Sequence, residues 1–296
     1  MLLARVQAAR PHQWVKNLLV FAPLVFAHKT GSVHSLGLAA VAFGCFCAAA
    51  SAVYLLNDIV DRKADARHPK KSRRPIASGR LPVSVAAIAV VILLALVAVV
   101  GSTITETHSG APFVIWPAAY LTLNLAYSFG LKRVVIVDAI CIALGFQLRV
   151  LAGADAIVAR PSSWILLCTF FFALFLAFCK RREEVLKHAD GETRASLRDY
   201  DAHFLDQMIN PLAAMSILAY ALYTVDQQTV AYHGSSGLAL TVPFVVFGVF
   251  RYLYLVHRRG EGSDPARLLF RDPQILLSGV LWAASVMAVL TLRVPR

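Results

Sequence analysis

Apolar residues along this chain gather in long blocks separated by short polar stretches. They do not recur at the three-to-four-residue spacing of a helix half immersed in water. Blocks approaching the ~20 residues that cross a bilayer read as membrane helices. Nine are predicted, at 17–28, 36–56, 83–101, 111–130, 134–153, 163–179, 209–227, 237–256 and 274–292. The first is short and interrupted by Pro23, so it must recruit its amphipathic upstream flank or lie tilted. A spanning segment satisfies its own backbone only as a helix or within a closed barrel. Uninterrupted apolar blocks lack the alternation of barrel strands. The expected fold is therefore all-α, a polytopic membrane helical bundle of about nine transmembrane helices.

Composition and charge sharpen this picture. The 296 residues are 58% hydrophobic and 16% charged, well below the ~25% charged of a soluble domain, and the mean hydropathy is +0.64. Residues Met1 to Trp14 lack the order of basic start, apolar run and small-residue cleavage site, so no cleaved leader is expected. Of 29 Lys and Arg, 23 fall on one side of the nine spans and four on the other, with Arg149 and Arg251 inside spans. By the positive-inside rule the N-terminus and the polar loops face the cytoplasm, in a multi-pass protein of the plasma (inner) membrane. Basic loops facing anionic headgroups account for the net charge of +12 without a nucleic-acid partner. Cys45, Cys47, Cys141, Cys168 and Cys179 lie in or beside apolar blocks without metal-type spacing and read as packing residues.

The chain reads as one domain, 1–296, whose chemistry sits on two cytoplasmic connections, 57–80 and 180–206. Each begins with a charged run extending a membrane helix, which hints at an architectural pseudo-repeat. The first opens with Asn57-Asp58, then Asp61 and Asp65. On a continuous helix the three acids at i, i+3 and i+7 share an arc of about 60°. Three carboxylates on one face repel unless a cation sits among them, and ligands that leave room for water and substrate phosphate suit Mg²⁺. The competing reading is a solvated helix end neutralised by Arg62, Lys63 and Arg67. The basic, Pro- and Gly-punctuated run from His68 to Arg80 favours a site for a Mg²⁺-diphosphate.

Asn57-Asp58-x-x-Asp61-x-x-x-Asp65 followed by Arg74-Pro75-Ile76-Ala77-Ser78-Gly79 resembles the first signature of the UbiA superfamily of intramembrane prenyltransferases, over essentially the whole chain. The resemblance implies a central cavity open to the cytoplasm and, laterally, to lipid, with a diphosphate held through Mg²⁺. The chain departs from the family where a second Asp-rich motif is due, reading Lys180-Arg181-Arg182-Glu183-Glu184 instead. A cationic patch suits additional phosphate groups. With Arg10-Pro11-His12-Gln13-Trp14-Val15-Lys16-Asn17, Tyr127-Ser128, Lys132, Asp138, Arg149 and Ala152-Gly153-Ala154, this resembles the decaprenyl-phosphate phosphoribosyltransferase branch. That branch moves 5-phosphoribose from phosphoribosyl diphosphate (PRPP) to a polyprenyl phosphate, toward cell-wall arabinan. The alternatives are a prenyltransferase with a prenyl diphosphate donor and an aromatic acceptor, and a transporter, which the nearly charge-free outer half disfavours. Homo-oligomerisation stays open.

Under this reading Asp58, Asp61 and Asp65 are the catalytic carboxylates and, with Asn57, the Mg²⁺ ligands. Lys16, Arg74, Lys132, Lys180 and Arg181 are candidate phosphate binders, each with positive-inside decoration as its competing explanation. Asn17 and Tyr127 join them as substrate-binding candidates, Tyr127 and Asp138 as orienting groups for Lys132 or a substrate hydroxyl. Arg149, within a span, demands an interior partner or ligand. Glu184 forms a helix ion pair with Lys180 or touches ribose or metal. Asp190 and Asp201 read as loop solvation, and Asp272 with Pro273 as the start of the last helix. The metal reading predicts that Asp61→Asn abolishes transfer while insertion and folding persist; near-normal activity at saturating Mg²⁺ would remove Asp61 from the ligands.

Overall fold

The computed structural model describes residues 2–69, 71–187, 199–260, 262, 268 and 271–292. It is all-helical among those residues. In chain order the helices are α1 (Leu2–Ala9), α2 (Ala22–Phe26), α3 (Val33–Val60), α4 (Arg62–Arg67), α5 (Val83–Gly101), α6 (Ile115–Phe129), α7 (Val137–Ala156), α8 (Ser163–Lys187), α9 (Ala202–Val225), α10 (Gln227–His233), α11 (Val242–Arg259) and α12 (Pro273–Leu292). Seven of the described helices are long and apolar enough to cross a membrane. The protein is thus a multi-pass membrane protein.

The other two expected spans take a different form. The block at 111–130 contributes only the 15-residue α6. The block at 17–28 falls on a 3-10 helix, Pro11–Phe21, continued by the five-residue α2. A 3-10 helix rises about 2.0 Å per residue against 1.5 Å for α. Eleven such residues plus one α turn therefore extend about 30 Å, close to the thickness of a bilayer core. The Pro23-interrupted block thus recruits its upstream flank from Pro11, and the stretched 3-10 geometry makes the joint segment about as long as an ordinary span.

Residues gather into two compact units. The first comprises Met1–Phe129 with Leu148–Pro161, the second Gly130–Gln147 with Ser162–Arg296. In the first, α3 buries a run of small residues, Ala42 and Ala48 to Ala50 among them, beside Val20, Phe46, Phe113 and Tyr120. Small side chains let helices approach closely where lipid supplies no hydrophobic drive. The 3-10 helix uses this against α3: Trp14 Nε1 donates to Ser51 Oγ (3.1 Å), Asn17 Nδ2 to Cys47 Sγ (3.3 Å), and Val20 is wholly buried. The basic loop is pinned by Ile76 and Leu81, which sink into a cluster with Ala8, Ala52, Leu55 and Ala86. At the far end of α7, Asp155 accepts hydrogen bonds from Ser109 N, Ser109 Oγ and Trp116 Nε1, tying down the loop after α5. The α5 face bearing Ile88, Val91, Ile92 and Val99 is exposed, as a lipid-facing surface should be.

In the second unit α8 and α9 pack around Phe175, Phe178, Leu205 and Ile209, joined by Val249 and Leu255 of α11. Helix starts follow side-chain capping. Asp201 accepts from Phe204 N at 2.7 Å, so it caps α9 and is not simple loop solvation. Asp272 accepts from Gln274 N and Ile275 N, with Pro273 opening α12 as expected, and pairs with Arg251 at 2.8 Å. The Arg251 hydrogen bond holds the Asp272 carboxyl below its usual range. Asp190 lies outside the described residues.

The tightest contact concerns Gly153. A Cβ built there would stand 2.0 Å from the Val20 carbonyl oxygen, which is backbone and cannot swing aside. Gly153→Ala is expected to abolish recovery of folded protein, read as loss of a monodisperse detergent-solubilised peak. Gly44→Ala, where a Cβ meets nothing within 4 Å, is expected to be tolerated.

Candidate active site

The acidic motif begins in the last turn of α3, where the helix emerges from the core. Asp58 is 2% exposed. Its Oδ1 accepts from Arg10 Nη2 at 2.6 Å and from Arg74 Nη1 at 3.1 Å, and Arg74 Nη1 also reaches Asp65 Oδ2 at 2.6 Å. One guanidinium thus bridges two carboxylates while a second covers the first. Arg62, Lys63 and Arg67 are exposed, and among the described residues the ion pairs of Asp58 and Asp65 are made by Arg10 and Arg74 instead. Arg74 arrives because Ile76, two residues on, is buried in the core. Arg10 arrives by a left-handed residue, φ +53°, between α1 and the 3-10 helix, and its guanidinium lies 4.9 Å from the centre of the Tyr54 ring. A positive φ is uncommon for a side chain larger than glycine.

The three acids do not share one uninterrupted helix. The α3 helix stops at Val60, and Asp61 takes φ −83°, ψ 4° before α4 begins. Hydrogen bonding nevertheless runs on, from Asp61 N to Asn57 O and from Asp65 N to Asp61 O, each 2.8 Å. Asp61 is half-buried and Asp65 buried. Asn57 accepts from Ser128 Oγ at 2.8 Å, which anchors the end of α6 to the motif; Tyr127 beside it is half-buried. Among the described residues no three His, Cys, Asp or Glu side chains are grouped to hold a metal alone. Asp58 Oδ2, however, is buried without a hydrogen-bond partner. Such an oxygen is costly to leave unsatisfied.

Deeper in the same unit Arg149 is 6% exposed. Its Nε donates to Asn17 Oδ1 at 2.7 Å and Nη2 to Tyr120 OH at 3.2 Å, and the guanidinium stands 4.6 Å from the Tyr120 ring centre. Asn17 is wholly buried. The interior partner demanded of Arg149 is therefore present, and Asn17 supplies it. Lys16, the neighbour of Asn17, is half-buried.

The second unit holds the basic cluster. Arg181 is 0% exposed. Its Nε donates to Asp138 Oδ2 at 2.6 Å and its Nη1 to Glu184 Oε2 at 2.5 Å; Lys180 Nζ lies 3.8 Å from Glu184 Oε1. Tyr200 OH donates to Asp138 Oδ1 at 2.8 Å. Burial foremost, and the hydrogen bond to that carboxylate after it, push the Tyr200 phenol above its ordinary range, so it stays protonated. Asp138 therefore pairs directly with Arg181 and Tyr200. Of the run Lys180-Arg181, Lys180 is the more open member, and Arg181 is the internal strut that holds Glu184. Arg182 is drawn off to Asp206. Lys132 is half-buried on the turn after α6 and, among the described residues, forms no hydrogen bond or ion pair.

Arg10 and Tyr200 escape sequence reasoning as site residues. Arg10 is visible within its motif, but only the fold shows that a residue 48 positions away meets Asp58. Tyr200 carries no motif.

The chain matches the model of the UbiA prenyltransferase family over residues 17–272 and belongs to that family. Among its curated relatives is the decaprenyl-phosphate phosphoribosyltransferase of Corynebacterium glutamicum, 34% identical over 96% of this chain and 86% of the relative. The enzyme of the same name from Mycobacterium tuberculosis is 33% identical over 95% of this chain and 92% of its own length. Among solved structures, a UbiA homologue from Archaeoglobus fulgidus bound to GPP and Mg²⁺ superposes with a TM-score of 0.71 at 20% identity, covering 97% of this chain and 99% of that one. That likeness concerns the fold.

Removing Arg181 would strand the buried Asp138 carboxylate. Arg181→Ala is expected to lower stability by about 3 kcal/mol, seen as a reduced thermal midpoint in detergent, whereas Lys180→Ala should leave that midpoint unchanged.

Proposed function

We propose that this protein transfers 5-phosphoribose from PRPP to a polyprenyl phosphate, with release of diphosphate, at the cytoplasmic face of the plasma membrane. The product would serve as a lipid-linked precursor of cell-wall arabinan. The observation that carries the reading is the pairing of an acidic motif flanked by two guanidiniums with a basic run where a second acidic motif would stand. Identity above 30% across nearly the whole chain to two enzymes bearing the phosphoribosyltransferase name supports it. A prenyl diphosphate donor with an aromatic acceptor fits less well, because Lys180 and Arg181 stand where that chemistry calls for aspartates.

The residues present suit Mg²⁺. Asn57, Asp58, Asp61 and Asp65 form an all-oxygen donor set, and the buried, partnerless Asp58 Oδ2 is a ready ligand. Mg²⁺ commonly takes one or two carboxylates together with waters and substrate phosphates, so a closed protein cage is not required. Bound there, it would supply charge neutralisation for the departing diphosphate.

The remaining work falls to the chain. In the reaction the C1–O bond to diphosphate breaks with oxocarbenium character, and an oxygen of the acceptor phosphate bonds to C1. That phosphate is already anionic at neutral pH, so no general base is needed. Arg10 and Arg74, converged on Asp58, exchange carboxylate for phosphate contacts as the donor enters. Their charge then stabilises the leaving group, and fixed charge placed where charge develops is the chief source of rate enhancement in such chemistry. Lys132 and Lys180 bind donor phosphate oxygens as mobile point charges, and Glu184, held by Arg181, meets ribose hydroxyls.

The test runs labelled PRPP and a polyprenyl phosphate beside a prenyl diphosphate and an aromatic acceptor, on purified protein with Mg²⁺. Label moving from PRPP into the organic phase, and lost with EDTA, is the expected result. Prenylated aromatic product without lipid-linked label would overturn the donor assignment. In the same assay Lys180→Ala is expected to raise the KM for PRPP more than that for the lipid; a purely lipid effect would take Lys180 out of the donor site.

A further inference from the structure

The turn leading into α7 is strained. Val137 N–H donates to the Val135 carbonyl at 2.8 Å, closing a three-residue turn about Ile136. Ile136 has φ +68°. A γ-turn with positive φ is rare and strained, and a β-branched residue is the least suited to it. Nor does burial of its own side chain hold it there, since Ile136 is 40% exposed. The α7 start holds it from one side, with Ala139 N–H and Ile140 N–H on the Ile136 carbonyl and Asp138 N–H on Val134 O, and Tyr200 holds it from the other: the Ile136 N–H donates to the Tyr200 hydroxyl at 2.6 Å. That hydroxyl donates onward to Asp138, which the wholly buried Arg181 grips from the other side. Each member of the chain is fixed by the next, which is the over-determination that lets backbone strain persist.

The strained turn carries Lys132. Arg133 N–H bonds to Gly130 O (2.9 Å) and Val134 N–H to Leu131 O (3.1 Å), so residues 130–134 form one compact turn, joined to α7 through Ile136 and by the Asp138 N–H to Val134 O bond (3.1 Å). A change of backbone conformation at Ile136, with loss of the Asp138 N–H to Val134 O bond, redirects the whole turn and the lysine on it. Lys132 has no protein partner of its own among the described residues to fix its direction.

We propose that Tyr200 is a positioning residue for the phosphoribosyl donor: its hydroxyl locks the strained Ile136 turn and so aims Lys132 at the donor's phosphates. This rests on the PRPP reading above. Tyr200→Phe removes the hydroxyl while leaving Asp138 paired with Arg181, so the fold survives. Ile136→Gly removes the strain, because glycine takes a positive φ without steric cost. The two substitutions together should then restore what the first loses.

The experiment measures steady-state kinetics for wild type, Tyr200→Phe, Ile136→Gly and the double variant, with tryptic cleavage after Lys132 and Arg133 as a substrate-free readout. Tyr200→Phe is expected to raise the KM for PRPP about tenfold, a loss within the range of released backbone strain. The lipid KM and kcat should stay within about twofold, and cleavage should accelerate. The double variant should return to within about threefold of the wild-type KM, and Ile136→Gly alone should stay close to wild type. An unchanged KM in Tyr200→Phe, or no rescue in the double variant, overturns the proposal. A wild-type protein that transfers nothing from PRPP overturns the donor reading instead, and the cleavage rates, which need no substrate, tell that failure apart from failure of the clasp.

Discussion

A carboxylate in the last turn of a membrane helix cannot keep its charge without help, and the arrangement around Asp58 answers that constraint. Water is largely excluded from it, so opposite charge must come from the protein. Arg10 is delivered by the break between α1 and the 3-10 helix, Arg74 by a loop whose Ile76 is sunk in the core. Three separate stretches of the first unit are thereby ordered around one acid. The balance is incomplete by design: one guanidinium serves two acids, and Asp58 Oδ2 remains unsatisfied.

The second unit solves the reverse problem. There a cation, Arg181, is buried, and Asp138 with Glu184 surrounds it. Breaking such a pair costs far more than the pair contributes net, which makes Arg181 a fixed point in the structure. Lys180 and Lys132 stand less deeply buried than Arg181. That difference in depth is something a count of basic residues does not reveal.

Much of this is legible in the sequence, and the exceptions are instructive. Apolar blocks locate the long helices because lipid leaves the backbone no other option. The acidic motif is legible because its spacing is local. The demand for a partner to Arg149 is legible from its cost, although the partner itself, Asn17, reads in sequence as a ligand group. Arg181 reads as a phosphate binder because sequence reports charge but not depth. The switch from α to 3-10 geometry between Pro11 and Phe21, and the left-handed turn at Ile136, depend on tertiary partners and leave no periodic trace. Arg10 and Tyr200 act over long sequence separations for the same reason.

The 3-10 helix has a geometric consequence. Three residues of 3-10 helix advance about 6.0 Å, and four residues of α-helix advance the same distance. Trp14, Asn17 and Val20, spaced by three, therefore keep step with Ser51 and Cys47, spaced by four on α3. The two helices are commensurate, like two rulers whose marks coincide, and neither must bend to keep its contacts in line. An α-helical first segment would rotate progressively out of this registry. Its narrow, stretched form is what lets a segment too short to span the bilayer as an ordinary helix lie flush along a full-length neighbour.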